Sequence, residues 1–485
     1  MAELTSGVIA SLGYSEVDTV AETQDIVDAI DAVFANTLRT SDDDATHTTV
    51  VSKEQLHTLG FVGATDDNLD AIQRVLSDQT DESDVKDYAA LKQLIDDAIA
   101  AHSDILNAAS TDDLTGIDTT DYTNMGIDGV DSDNLSSIND ALINTTNTLN
   151  TAASTQEVVD SYNHILDLRA GDANGGNSAI TLDATDFTDL GVTLKADNAN
   201  QAEQLAYLQE IVASDLGSGD VTTVSGLQAL ANATSDLIDL IQGNSPDSDG
   251  TEGLTIEQWA LLGVTAADAE EVAMLNARLA LTADDLSDVT NLATDLAARA
   301  DESRNALAKI EAYANADGAS DFDQDTVLAT SDVDDVPTVQ DYSFIGVVDY
   351  DAGNSTRVAI DATNIATINE LFAAALVGAD DGDEPASTRT EVQAVIDGAA
   401  DRLGAFAKIL AYAEANVLTP ADSSLIPTAA DFALCGATGV ADDNNIPALL
   451  TKLAAMGSSS NGLAVDTTPE LQAFVKQVAI EKIKA

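Results

Sequence analysis

Apolar and polar positions follow a helical period along this chain, and the helices come in a recurring set. Leu135, Ile138 and Leu142 lie at i, i+3 and i+7, one face of a 3.6-residue helix, and Val272, Leu275 and Leu279 repeat the spacing. Longer stretches at 91–105, 227–241, 289–312, 392–412 and 471–483 are Ala- and Leu-rich with apolar residues at i, i+3 and i+4. They predict amphipathic helices. Segments rich in Asp, Ser, Thr and Gly separate them, such as 243–250, and read as boundaries or exposed loops.

A shorter pattern recurs seven times: an eight-residue run closed by a glycine. The copies begin at Thr5, Ser52, Asp118, Asp183, Thr255, Thr338 and Thr428 and close at Gly13, Gly60, Gly126, Gly191, Gly263, Gly346 and Gly436. Ser, Thr or Asp in first place is an N-cap residue, whose side-chain oxygen accepts from an otherwise unpaired backbone N–H. Three places on stand Gln55, Asp121, Asp186, Gln258, Asp341 and Asp431, the reciprocal half of a capping box, with Asp as a short stand-in. The first copy departs from this, with Val8 there. A large apolar residue follows: Ile9, Leu56, Tyr122, Phe187, Trp259, Tyr342 or Phe432. The glycine fits the left-handed C′ position that other residues enter at a cost. Each copy predicts a two-turn helix with its start, buried face and stop encoded locally. Such a helix is too short to stand alone.

Eight residues past the glycine, Asn68, Asn134 and Asn444 mark the starts of second helices; the sixth copy inserts ten residues before its Asn364. A third helix closes most copies, and the first copy reads as lacking it. The expectation is a mainly α fold, a solenoid-like array of about seven degenerate helical repeats, each with a short capped helix, a glycine turn and one or two longer helices. The segments are 1–43, 44–110, 111–175, 176–244, 245–320, 321–416 with the loop insertion, and 417–485 with the C-terminal helix.

Charge narrows the function. The 485 residues carry 85 Asp and Glu against 19 Lys and Arg, a net charge of −66, and 65 of the acids are Asp. With 45 % hydrophobic residues the chain has material for a core. Double-stranded nucleic acid is excluded as a partner, because binding it needs clustered Lys and Arg. No apolar run is long enough to span a membrane. The start, Met1 to Ser6, has neither basic n-region nor apolar h-region, so no N-terminal signal peptide is expected. A single cysteine, Cys435, excludes an internal disulfide and stands where other copies have Leu, Met or Ile, so it is expected in the core. His47, His57, His102 and His164 are scattered and expected on the surface or in loops. No phosphate-binding, dinucleotide-binding or nucleophile motif is present, and the expected class is not an enzyme.

The segment from Asp118 to Asn139, with its Asp-x-x-Asp-Tyr cap, Gly126-Ile127-x-Gly129-Val130 turn and Asn134-Leu135-x-x-Ile138-Asn139 helix, resembles helical repeats of large acidic bacterial surface proteins, the repetitive type I-secreted adhesins and surface-layer-like proteins. The resemblance implies a secreted protein with structural or adhesive work. Their glycine-rich calcium nonapeptides are absent here; 171–177 is a faint echo.

Acidic clusters in expected loops are the candidate metal ligands: Asp247 and Asp249; Asp321, Asp323 and Asp325; Asp380, Asp381 and Asp383. Short carboxylates at alternate positions suit Ca²⁺, which takes oxygen ligands from flexible loops. None forms an EF-hand, since Glu252 and Gln258 fill the Gly and Glu places after Asp247. The other reading is a solvated acidic surface, tolerable in seawater-like salt where screening acts within roughly 4–5 Å.

Two functions from different classes fit. The first is a non-enzymatic structural protein that assembles head to tail with itself into an extracellular filament, tube or surface layer. Leu4, Ile9 and Leu12 near one end, and Phe474, Val478 and Lys482 near the other, are its candidate assembly residues. The second is an adhesin stalk or helical binding module that recognises a surface ligand through the inserted loops. An acidic nucleic-acid mimic would explain the charge but not the repeat.

Overall fold

The computed structural model describes residues 2–12, 17–37, 50–79, 85, 87–170, 180–196, 198–214, 220–242, 253–281, 292–316, 336–351, 357–375, 386–415, 423–440, 446–456, 465 and 467–484. Among them the chain is mainly helical, with 21 α-helices and one two-stranded hairpin. It divides into two compact units, Met1–Ser235 and Asp236–Ala485.

The N-terminal unit opens with α1 (Ala2–Ser11) and α2 (Val20–Thr37). Three sets then follow in the same order: α3 (Lys53–Thr58), α4 (Leu69–Ser77) and α5 (Tyr88–Ser110); α6 (Thr119–Asn124), α7 (Leu135–Asn144) and α8 (Ala152–Ala170); α9 (Ala184–Thr188), α10 (Asn198–Ala213) and α11 (Val224–Ile241). The long third helix of one set lies against the first two helices of the next: α5 against α6 and α7, and α8 against α9 and α10. A core cluster runs from Leu4 and Val8 through Ile30, Leu56 and Leu76 to Ile95.

The C-terminal unit holds α12 (Ile256–Leu261), α13 (Ala269–Leu281), α14 (Leu292–Ala316), α15 (Val339–Phe344), β1 (Asp349–Asp351), β2 (Arg357–Ala359), α16 (Ile365–Ala375), α17 (Arg389–Gly398), α18 (Ala400–Ala415), α19 (Ala429–Leu434), α20 (Ile446–Met456) and α21 (Thr468–Lys484). Here α14 covers α15 and α16, and α18 covers α19 and α20, with Phe406, Phe432, Cys435 and Leu453 in one apolar cluster. The ten-residue insertion of the sixth copy is the hairpin, β1 antiparallel to β2 with Tyr350 opposite Val358. The helix expected over 392–412 is instead two, α17 and α18, meeting at Ala399. A capping box of Thr388 with Glu391 starts α17.

The first copy is corrected. Thr5 is not a cap but lies inside α1, which begins at Ala2; with Val8 in place of a box-closing polar residue, nothing stops the helix from running through. Helix α1 packs on α2 and on the start of α5, as α4 packs on α5 and on α8. Gly7 permits this approach, since a Cβ there would stand 2.6 Å from Tyr88 Cβ. Helix α2 in turn covers α3 and α4, as a third helix does. So α1 and α2 hold the second and third places, and among the described residues the first copy lacks its short capped helix rather than its third. Gly13 lies outside the described residues.

Candidate functional site

The six later copies build the expected short helix. Ser52, Asp118, Asp183, Thr255, Thr338 and Thr428 each close a capping box with Gln55, Asp121, Asp186, Gln258, Asp341 and Asp431. Asp therefore reaches back to the cap N–H as Gln does, at 2.8 Å from Asp118 N to Asp121 Oδ2. Gly60, Gly126, Gly191, Gly263, Gly346 and Gly436 all take positive φ, between 73° and 91°. The next residue then donates back to the aromatic slot, for example Ile127 N–H to Tyr122 O at 2.9 Å and Val347 N–H to Tyr342 O at 2.9 Å. This is the two-bond Schellman closure of a helix end. Asn68 and Asn134 do not cap the second helices with their side chains, and these two and Asn364 each fold back over the turn. Asn134 accepts from Asp131 N–H at 2.7 Å and donates to Gly129 O at 2.7 Å. Asn364 does the same with Asp361 and Ala359 across the inserted hairpin.

Sequence reasoning missed a buried amide in the second helix. Asn276 Oδ1 accepts from the Trp259 indole at 3.0 Å and from Leu254 N–H at 3.1 Å, while its Nδ2 donates to Leu254 O at 2.8 Å. Asn369 accepts from the Tyr342 hydroxyl at 2.8 Å and donates to Pro337 O at 2.8 Å. Asn139 accepts from the Tyr122 hydroxyl at 2.5 Å. Where the slot holds Leu56 or Phe187, a longer Gln takes over and grips backbone alone: Gln73 donates to Val51 O at 2.9 Å, and Gln209 holds Leu182 N–H at 2.8 Å and Ile180 O at 2.9 Å. Gln73, Gln209, Asn276 and Asn369 thus pin the stretch of chain ahead of their caps. The length of the amide follows the polarity of its aromatic neighbour, because a buried O–H or indole N–H needs an acceptor. In the last copy Phe432 has no polar atom, and the corresponding residue is buried Leu449. The signal was available: four of the amides stand 13 residues past the glycine, once the ten-residue insertion is discounted.

A second device joins successive copies. Helix N-termini leave unpaired N–H groups and a partial positive charge, and here a carboxylate from the preceding copy answers them. Asp70 of α4 accepts from Ala153 N–H of α8 at 2.6 Å, Asp140 of α7 from Val224 N–H of α11 at 2.7 Å, and Glu370 of α16 from Thr468 N–H of α21 at 2.9 Å. Glu270 accepts from the Thr390 hydroxyl beside the start of α17 at 2.8 Å. The turn glycine lies at the same seam. A Cβ on Gly126 would come 2.5 Å from Arg74 Cβ of α4, and one on Gly346 2.5 Å from Ala277 Cβ of α13.

The other candidates fall as follows. All eight proposed metal ligands, Asp247, Asp249, Asp321, Asp323, Asp325, Asp380, Asp381 and Asp383, lie outside the described residues. Among the described residues no cluster of three or more His, Cys, Asp or Glu forms a metal site, and no helix is long and apolar enough to cross a membrane. Leu4, one of the expected assembly residues, is fully buried in its own unit's core, as is Val8. Val478 is also buried, Leu12 and Phe474 are partly buried against their cores, and Ile9 is exposed. Lys482 lies in α21, its side chain outside the described set. Of the histidines, His57 is exposed, His164 meets the buried Asp186 at 2.9 Å, and His102 is buried, against expectation, with Nε2 3.3 Å from Asn150 O. His47 lies outside the described residues. Cys435 is a core residue as expected, its thiol pushed up to about 12 by burial.

Among the described residues, two open cavities stand out. One of 680 Å³ in the N-terminal unit sits among Leu12, Ile26, Val62 and Tyr88, with Glu22 and Asp25 at its edge. The other, of 340 Å³ in the C-terminal unit, lies between the hairpin with the start of α16 and one face of α18. Comparison with family models, curated proteins and solved structures finds no match to this chain.

Proposed function

We propose that this chain is a non-enzymatic structural protein of the cell surface or extracellular space, a solenoid-like array of about seven helical copies that assembles head to tail with itself into a filament, tube or layer. The observation that carries the reading is the recurring seam, in which Asp70, Asp140 and Glu370 cap the third helix of the following copy. A copy that completes its hydrogen bonding on its neighbour is stabilised by serial contact, and serial contact extends readily between chains. The acidic clusters 247–249, 321–325 and 380–383 are proposed Ca²⁺ ligands, and neutralising them would relieve repulsion in a chain of net charge −66. Neither nucleic acid nor a membrane span belongs to this reading.

Negative-stain electron microscopy of the pure protein at high salt, with and without millimolar Ca²⁺, tests it. Ordered polymers are expected, more abundant with Ca²⁺. Monomeric rods in every condition would sink self-assembly and favour the second reading, an adhesin stalk or binding module; the inserted hairpin and its cavity support that one.

A further inference from the structure

Resting on the self-assembly reading, the structure also offers a place where two chains can meet. The 340 Å³ cavity of the C-terminal unit has an apolar floor of Tyr350, Leu403, Phe406 and Leu410, with Asp361 and Glu414 at its rim, and no Lys, Arg or His lines it. The insertion makes it, since Tyr350 comes from the hairpin.

The complement lies on α21. Lys476 and Ile480 stand one turn apart on the same helix face. Ile480 is 50 % exposed, high for a large aliphatic side chain. Lys476 is exposed as well. Lys53, Lys92, Lys309, Lys408 and Lys452 are each held in an ion pair with a carboxylate, whereas among the described residues Lys476 forms none. An exposed lysine without an ion pair is conspicuous where acids outnumber bases 85 to 19.

We propose that a second copy of this chain inserts Ile480 into the cavity while its Lys476 meets Glu414 and Asp361 at the rim. Apolar burial gives the contact its strength, and the charges fix its orientation. The two patches differ, so the contact is heterologous, and repeating it propagates a polymer rather than closing a dimer.

Sedimentation and electron microscopy of wild type, Lys476→Glu, Ile480→Asp, Glu414→Lys and the double variant Lys476→Glu/Glu414→Lys test this. All three positions are exposed, so circular dichroism and thermal midpoints should match wild type. Expected are a rise of at least tenfold in the concentration needed for polymer in each single variant, and recovery in the charge-swapped pair. Polymer formation by Lys476→Glu and Ile480→Asp at the wild-type concentration would overturn this contact and leave self-assembly standing. Loss in the single variants without recovery in the pair would overturn the pairing with Glu414. A wild type that never polymerises would overturn both readings.

Discussion

Asn276 takes the indole N–H of Trp259 on its Oδ1 and grips both backbone groups of Leu254 with the same side chain. Removing it strands three buried polar groups, each worth about 1–3 kcal/mol when left unpaired. Asn276→Ala is therefore expected to cost roughly 3 kcal/mol in urea unfolding once local relaxation is allowed for. A double-mutant cycle with Trp259→Phe should give a coupling of about 1 kcal/mol or more. Additive effects would show that the pair is only a contact.

The seam between copies predicts a local effect. Asp140→Ala leaves Val224 N–H without its acceptor at the start of α11, and losing a helix cap costs about 1 kcal/mol. Hydrogen exchange should quicken at the first amides of α11, while the capping box at Asp118 and Asp121 in the same copy keeps its protection. Unchanged exchange at α11 would mean that the cap does not bind the copies together.

Glycine substitutions separate backbone strain from close approach. Gly346 has φ 74° and Gly439 φ 88°, so alanine at either pays the left-handed penalty of roughly 1–2 kcal/mol. A Cβ at Gly346 also runs into Ala277, whereas among the described residues nothing lies within 4 Å of one at Gly439. Gly346→Ala should exceed Gly439→Ala by about 1–3 kcal/mol. Equal losses in denaturant midpoints would remove the seam contact from the account.

Acid should weaken the capping boxes. Burial raises the Asp341 carboxyl, but hydrogen bonds from Thr338 and Lys309 outweigh it and hold the group below the ordinary range; Asp431 is lowered in the same way by Lys408 and Thr428. A carboxyl lowered on folding stabilises the native state above its unfolded pKa of about 3.9, and that contribution is lost as pH falls through the lower folded value. Relief of acidic self-repulsion acts in the opposite direction, but equally in wild type and variant. The stability difference between wild type and Asp341→Asn should therefore be largest at neutral pH and shrink below about pH 4. A constant difference from pH 7 to pH 2.5 would contradict the assignment.

Much of the local structure was legible because the short helix is specified within nine residues. Ser52 to Gly60 contains cap, box, buried residue and stop, and each performs as expected. Thr5 shows the limit of that legibility: the spacing matched, but Val8 could not close a box, and the segment became the second helix of its copy. The amide brackets and carboxylate seams were missed because they join residues far apart in sequence; Asp140 and Val224 meet across 84 positions, and neither residue is unusual where it stands. His102 was misplaced for a similar reason. Its burial comes from packing of the long helix α5, not from its immediate neighbours.

The match between amide length and aromatic polarity bears on how such a chain can be rebuilt. Tyr122 with Asn139 and Trp259 with Asn276 are hydrogen-bonded across one helix–turn–helix segment, and in the copy with Phe187 the amide Gln209 holds backbone instead. A crossover inside that segment would separate a slot residue from the side chain that suits it, so that a Tyr hydroxyl or Trp indole N–H could face the Leu of the last copy and find no acceptor. A crossover ahead of the cap would carry both partners together. Recombination among the copies, in nature or in a gene-shuffling library, should therefore yield folded chains mainly from junctions that keep each pair intact.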